Sequence, residues 1–185
     1  MAEIPRELAA RIRLVILDVD GVLTDGGVFL GGAQSGEVIE FKRFEITDQL
    51  GIKLLQWAGL EVVFVSGRNS GGNRVRAAEL ECACYEGPGG FKLEILERLH
   101  RQHGLGWEQT ACVCDDLADL PILTRAALPV AVANAVPEVR AAAVWQTSRR
   151  GGDGAVREFA EALLRARGDY VERIAEYVRE RGGRG

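Results

Sequence analysis

The residues best suited to chemistry in this chain are carboxylates placed at the ends of apolar runs. Asp18 and Asp20 close the run 14–17 within LVILDVDGVLTDGG. Ser66, Gly67 and Arg68 close a second run, EVVFVSG, at 61–67. Asp115 and Asp116 close a third, TACVCD, at 110–115, with Asp119 close behind. Carboxylates so close to one another repel, and desolvating them is costly. A positive group is therefore required between them. A few hard oxygen ligands with room for water and phosphate suit Mg²⁺. Lys92 is a further candidate. Ile95, Leu96 and Leu99 follow it at helical spacing, so Lys92 starts the apolar stripe of its helix and needs an anionic partner.

Each group alone also fits a simpler role. Asp-Gly is turn chemistry, Asp116 and Asp119 suit a helix cap and an acidic first turn, and a first-turn lysine can reach solvent. What favours function is their convergence, which depends on the elements that carry them. Short apolar runs at 12–20, 61–67, 82–85, 110–115 and 128–133 predict strands. Helical patterns alternate with them at 47–59, 69–80, 90–104, 116–126 and 154–167. Thr47 or Asp48 is the expected cap of the first of these helices, and Gly59 its stop. A charged helical pattern follows in the tail, 168–185. This rhythm predicts an α/β fold, a Rossmann-like doubly wound parallel sheet with helices on both faces. Ligands of such sheets bind beyond the carboxyl ends of the strands, the edge that receives all three acidic or polar strand ends. One segment breaks the rhythm. Residues 26–45 predict a small β-hairpin inserted after the first strand, above that edge.

The 185 residues suffice for one domain, and 47% hydrophobic with 27% charged residues is ordinary for a soluble protein. With a net charge of −4 and scattered Lys and Arg, nothing reads as a nucleic-acid footprint. There is no apolar run long enough to span a membrane and no signal-peptide core, so a cytoplasmic address is expected. The four cysteines form two CxC pairs, Cys82/Cys84 and Cys112/Cys114, in strand-like runs. Their spacing is not that of a zinc knuckle or a redox motif, so they are expected to be structural.

DVDGVLTD, SGR, a downstream lysine and DDxxD together resemble the four motifs of the haloacid dehalogenase superfamily, over residues 12 to about 160. The second aspartate of the first motif resembles its phosphatase branch. The minimal hairpin cap and RRGGDGAVREF at 149–159 are similar to the phosphatases of 3-deoxy-D-manno-octulosonate 8-phosphate (KDO 8-phosphate). The resemblance implies a single domain over 1–185, a sugar phosphate substrate, Mg²⁺, and a homotetramer formed through the hairpin. It implies Asp18 as nucleophile and Asp20 as general acid/base. Ser66 and Lys92 would hold the phosphoryl oxygens, with Gly67, Arg68 and Asp48 also toward the substrate. Asp18, the Asp20 carbonyl and Asp115 would hold the metal, and Asp116 and Asp119 would orient these groups.

Two positions depart from the family pattern. Cys114 replaces a glycine before the last aspartates, and Thr47-Asp48-Gln49 replaces Arg-Asp-Gly. The second change leaves related nine-carbon keto-acid phosphates open, along with a broad sugar phosphatase. A non-catalytic tetramerisation module is a further alternative, but the complete motif set argues against it.

Overall fold

The computed structural model describes residues 3–36, 38–87, 89 and 91–183. Its centre is a six-stranded parallel sheet in the order β5-β4-β1-β6-β7-β8. The strands are β1 (Leu14–Leu17), β4 (Glu61–Ser66), β5 (Ala83–Glu86), β6 (Thr110–Cys114), β7 (Leu128–Ala131) and β8 (Trp145–Gln146). The chain builds outward from β1 through β4 to β5, then returns to β6 and builds the other way. The crevice of such a sheet opens where the order reverses, beside β1. Register fixes what reaches it. Leu17 is level with Phe64 and with Val113. Asp18, Ser66 and Asp115 therefore leave their strands at one edge.

Helices cover the sheet in two groups. Helices α1 (Arg6–Arg11), α2 (Ile46–Trp57), α7 (Ala155–Arg167) and α8 (Tyr170–Glu180) pack together, while α4 (Lys92–His103), α5 (Leu120–Leu123) and α6 (Pro137–Ala142) form the second group. Helix α3 (Gly71–Glu79) lies against β5 and the hairpin. The core is continuous, with Leu14, Ile16, Leu54, Phe64, Leu96 and Phe159 fully buried. Gly51 lets α2 approach α7, because a Cβ there would lie 2.9 Å from the Arg157 Cα.

The hairpin is a separate two-stranded ribbon, β2 (Phe29–Gly32) and β3 (Val38–Phe41), antiparallel with Phe29 opposite Phe41. A bridge between Thr24 and Phe44 closes its base. Phe29, Leu30, Val38 and Phe41 are exposed. Among the described residues no helix is long and apolar enough to cross a membrane. All four cysteines are free. Burial pushes the Cys82 thiol up to about 12 and the Cys84 thiol to about 11.

The α/β sheet and its hairpin insertion are as expected, and the differences are local. The first strand ends at Leu17 rather than Asp20, because Val19–Leu23 winds into one wide turn. Helix α2 is capped by Glu45, whose carboxylate accepts from the Thr47 backbone N–H, and not by Thr47 or Asp48. The segment 116–126 splits into a tight turn at Leu117–Asp119 and the short α5. Helix α4 begins at Lys92, while Gly90 of the expected range, Glu37 of the hairpin and the last two residues of the tail lie outside the described residues. Helices α1 and α6 and the edge strand β8 were not expected. They are six, six and two residues long, too short for a periodic pattern.

Candidate active site

The turn after β1 builds the floor of the site. Asp18 is held at the strand end, its backbone N–H donating to the Val113 carbonyl at 3.1 Å. The Thr24 hydroxyl then knits the turn, donating to the Val19 carbonyl at 3.2 Å and accepting from Gly21 N at 3.3 Å and Gly26 N at 3.2 Å. Gly21 sits at φ 95°, a conformation that favours glycine. A Cβ on Gly21 would lie 1.9 Å from Asp115 Oδ2. The Asn134 side chain donates to the Gly21 carbonyl at 2.9 Å, and the Gly151 N–H donates back to Asn134 at 2.6 Å. The glycine-rich loop 151–154 thus packs on the chain's own turn.

Lys92 is the first residue of α4 and is buried there. Its ammonium donates to Asp18 Oδ1 at 2.5 Å and to Asp119 Oδ1 at 2.6 Å. Burial opposes its charge, but Asp18 and Asp119 more than offset this and hold Lys92 above its ordinary value. Asp18, Asp115 and Asp119 bring ligand oxygens within 4.8 Å of one another. Three carboxylates against the Lys92 ammonium leave a surplus of negative charge. Burial first, then the charges of Asp18 and Asp119, push the Asp115 carboxyl up to about 8. Asp115 Oδ1 is buried with no hydrogen-bond partner among the described residues. An orphaned oxygen, an excess of carboxylate and a glycine that keeps the space clear all fit a small divalent cation.

On the opposite side, Ser66 is buried at the end of β4. Its hydroxyl accepts from Arg68 N at 3.1 Å and donates to Asp20 Oδ2 at 3.4 Å. Arg68 is half-exposed, and its guanidinium meets Glu40 Oε2 of the hairpin at 2.9 Å. The Ser70 hydroxyl, then Lys42 and Arg68, hold the Glu40 carboxyl below its ordinary value despite the opposing effect of burial. Lys42 carries no signal in the sequence reading, yet its side chain is fully buried with the ammonium 2.8 Å from Asp20 Oδ1.

The remaining expected site residues lie further out. Asp116 is exposed and its Oδ1 accepts from Leu117 N at 2.7 Å, so it caps the next turn. Asp119 is the one of the pair bonded to Lys92. Asp48 is buried in the α2–α7 contact, where its Oδ1 accepts from Arg157 N at 2.7 Å and its Oδ2 has no partner among the described residues. Burial raises its carboxyl from 3.8 to about 6.

Two expected results follow from this geometry. Gly21→Ala would push Asp115 aside, and an error of about 1 Å in such a group costs on the order of 100-fold in turnover. Phosphate release and a divalent-metal titration are expected to fall together. Asp48 binds its proton more tightly when folded, so its contribution to stability is lost as pH rises from about 4 through about 6. Asp48→Asn lacks that loss. Its stability relative to the parent is expected to rise by about 2 kcal/mol between pH 4 and pH 7, read from urea midpoints. A flat difference would mean that folding does not raise the Asp48 carboxyl.

Residues 87–159 match the model of the haloacid dehalogenase-like hydrolases. The chain belongs to this family. It is 39% identical to the 3-deoxy-D-manno-octulosonate 8-phosphate phosphatase KdsC of Salmonella typhi over 170 residues, 89% of this chain and 85% of that protein. A crystal structure of the Moraxella catarrhalis phosphatase of that name, in complex with magnesium ion, phosphate ion and KDO, superposes with a TM-score of 0.85. Identity there is 32%, covering 93% of this chain and 97% of that one. The cobalt-bound Haemophilus influenzae enzyme superposes with a TM-score of 0.79 at 39% identity, over 88% of this chain and 93% of that one. Within the family, the chain is a phosphatase.

Proposed function

We propose that this phosphatase hydrolyses KDO 8-phosphate with Mg²⁺ in its acidic cluster. The observation that carries the reading is Asp18, pinned by Lys92 beside the free oxygen of Asp115. Support for the substrate comes from the relatives' activity and from Arg68, a guanidinium at the mouth suited to a sugar-acid carboxylate.

Asp18 is the nucleophile. β1 and Lys92 fix its carboxylate, so little reorientation is needed to reach phosphorus. Lys92 and the Ser66 hydroxyl face the transferring oxygens and stabilise charge that grows there. Asp20 protonates the departing sugar oxygen and then takes a proton from the water that cleaves the aspartyl-phosphate. Asp18, the Asp20 carbonyl and Asp115 would hold the Mg²⁺, which neutralises phosphoryl charge when bound. Asp119 orients Lys92. The chain acts as one domain, and the exposed apolar residues of the hairpin support a homotetramer built through it.

The test is phosphate release with Mg²⁺ or with excess chelator, comparing KDO 8-phosphate with a nine-carbon keto-acid phosphate and neutral sugar phosphates. A preference of about tenfold or more in kcat/KM for KDO 8-phosphate, some 1.4 kcal/mol of transition-state binding, supports the assignment. A preference for the nine-carbon acid moves the substrate. Equal rates across the panel remove the role given to Arg68, and full activity in chelator removes the metal.

A further inference from the structure

Lys42 is the feature of the site that the reaction as described does not use. It lies between β3 and the bridge residue Phe44, at the stem of the hairpin. Its ammonium is 2.8 Å from Asp20 Oδ1 and 2.9 Å from Asn73 Oδ1, with Glu40 at 3.8 Å. No part of its side chain is exposed. Asn73 is fully buried at the start of α3. A buried ammonium needs a full set of acceptors, and a lysine at the root of a surface ribbon has easier places to go. Here Asn73 accepts its hydrogen bond, while Asp20 Oδ1 and the more distant Glu40 offset its charge as ion pairs; Oδ1 has no hydrogen-bond partner among the described residues, so the Asp20 contact is ionic.

The two oxygens of Asp20 are therefore treated differently. Oδ1 faces an ammonium that only donates. Oδ2 accepts from the Ser66 hydroxyl at 3.4 Å, the group assigned above to the phosphoryl oxygens. We propose that Lys42 is a positioning residue: it holds Asp20 by Oδ1 so that Oδ2 alone carries and delivers the proton to the leaving sugar oxygen. In that step the Asp18–phosphorus bond forms and the phosphorus–oxygen bond to the sugar breaks. The proton on Asp20 Oδ2 passes to the departing oxygen, leaving an Asp20 carboxylate paired with Lys42. No other reactant is needed.

The inference rests on the acid role given to Asp20, and the experiment separates the two. kcat/KM reports the steps up to loss of the leaving group. A sugar alkoxide needs a proton to leave, whereas p-nitrophenolate does not. For Lys42→Met, kcat/KM is expected to fall about 100-fold with KDO 8-phosphate and less than about fivefold with p-nitrophenyl phosphate. The quantity read is the ratio of the two substrates in one preparation, so a loss of folded protein cancels. Asp20→Asn is expected to show the same selective loss, and larger.

If Asp20→Asn is selective and Lys42→Met slows both substrates equally, Lys42 is only structural and the inference fails. If Asp20→Asn itself is not selective, the acid assignment fails first. Asn73→Ala removes the other anchor of the ammonium, and a smaller selective loss is expected from it. That variant, with Lys42→Gln, decides the matter if Lys42→Met does not fold. No selective loss in either overturns the proposal.

Discussion

Asp18→Asn is expected to lower phosphate release by at least about 10⁴-fold while the fold survives unchanged. An amide keeps the shape of the side chain at the end of β1 and can still accept from Lys92. It cannot attack phosphorus or form an acyl phosphate. The same change removes one of three crowded carboxylates, and Lys92 keeps Asp119 as its ionic partner. Thermal stability without metal is therefore expected to equal or exceed that of the parent. The measurement pairs single-turnover phosphate release with a thermal unfolding curve. Release within about tenfold of the parent would remove Asp18 as nucleophile. A large drop in stability would mean that the Lys92–Asp18 contact, rather than chemistry, explains the lost rate.

Lys92→Met is expected to damage both properties. Removing one partner of a buried ion pair leaves uncompensated charge, which costs about 3–5 kcal/mol. Here Asp18, Asp115 and Asp119 would remain together without the ammonium. Lys92 is held above its ordinary value, so what it contributes to folding is present throughout the neutral range and is lost only in strong alkali. Turnover is expected to fall at least about 10³-fold, as when a charged group is taken from a transferring phosphoryl. Two controls separate the effects. Millimolar Mg²⁺ is expected to restore part of the stability by supplying positive charge. Adding Asp119→Asn to Lys92→Met is expected to restore stability further but no activity. Recovery of activity in that double variant would show that Lys92 serves only to neutralise Asp119.

Much of this site was legible because it is carried by strand ends. A short apolar run that stops at Asp or Ser places that residue at a sheet edge, and parallel pairing brings three such edges together. Lys92 was legible from its place on an apolar helical stripe. Lys42 was not, because it is carried by the hairpin. The ribbon lies over the sheet edge rather than in it, and only its docked position shows which strand face looks inward. In VIEFKRF the sole hint is that Glu40 and Lys42 share a face, opposite Phe41. Asp48 shows the converse. Its neighbours match a substrate-facing motif only in part, and the side chain is buried against the backbone of α7. Helix–helix docking of that kind leaves no mark in local sequence. At Gly21 the sequence marks only a turn, and the clearance it leaves for Asp115 is visible in the structure alone.

The contacts that complete the site join distant parts of the chain. Lys92 and Asp18 are 74 residues apart, and Asn134 reaches the Gly21 turn across 113. Closing such long loops is slow, and it is rewarded only when both ends are already in place. The half of the sheet built from β1, β4 and β5 holds Asp18, the proposed nucleophile, but neither Asp115 nor Asp119. A nascent or partly refolded chain thus carries an inert aspartate. The proposed catalysis needs β6 paired beside β1 and α4 docked with Lys92 on Asp18. Regained activity would report a chain in which both halves of the sheet are joined, and none is expected of a fragment ending before Asp119.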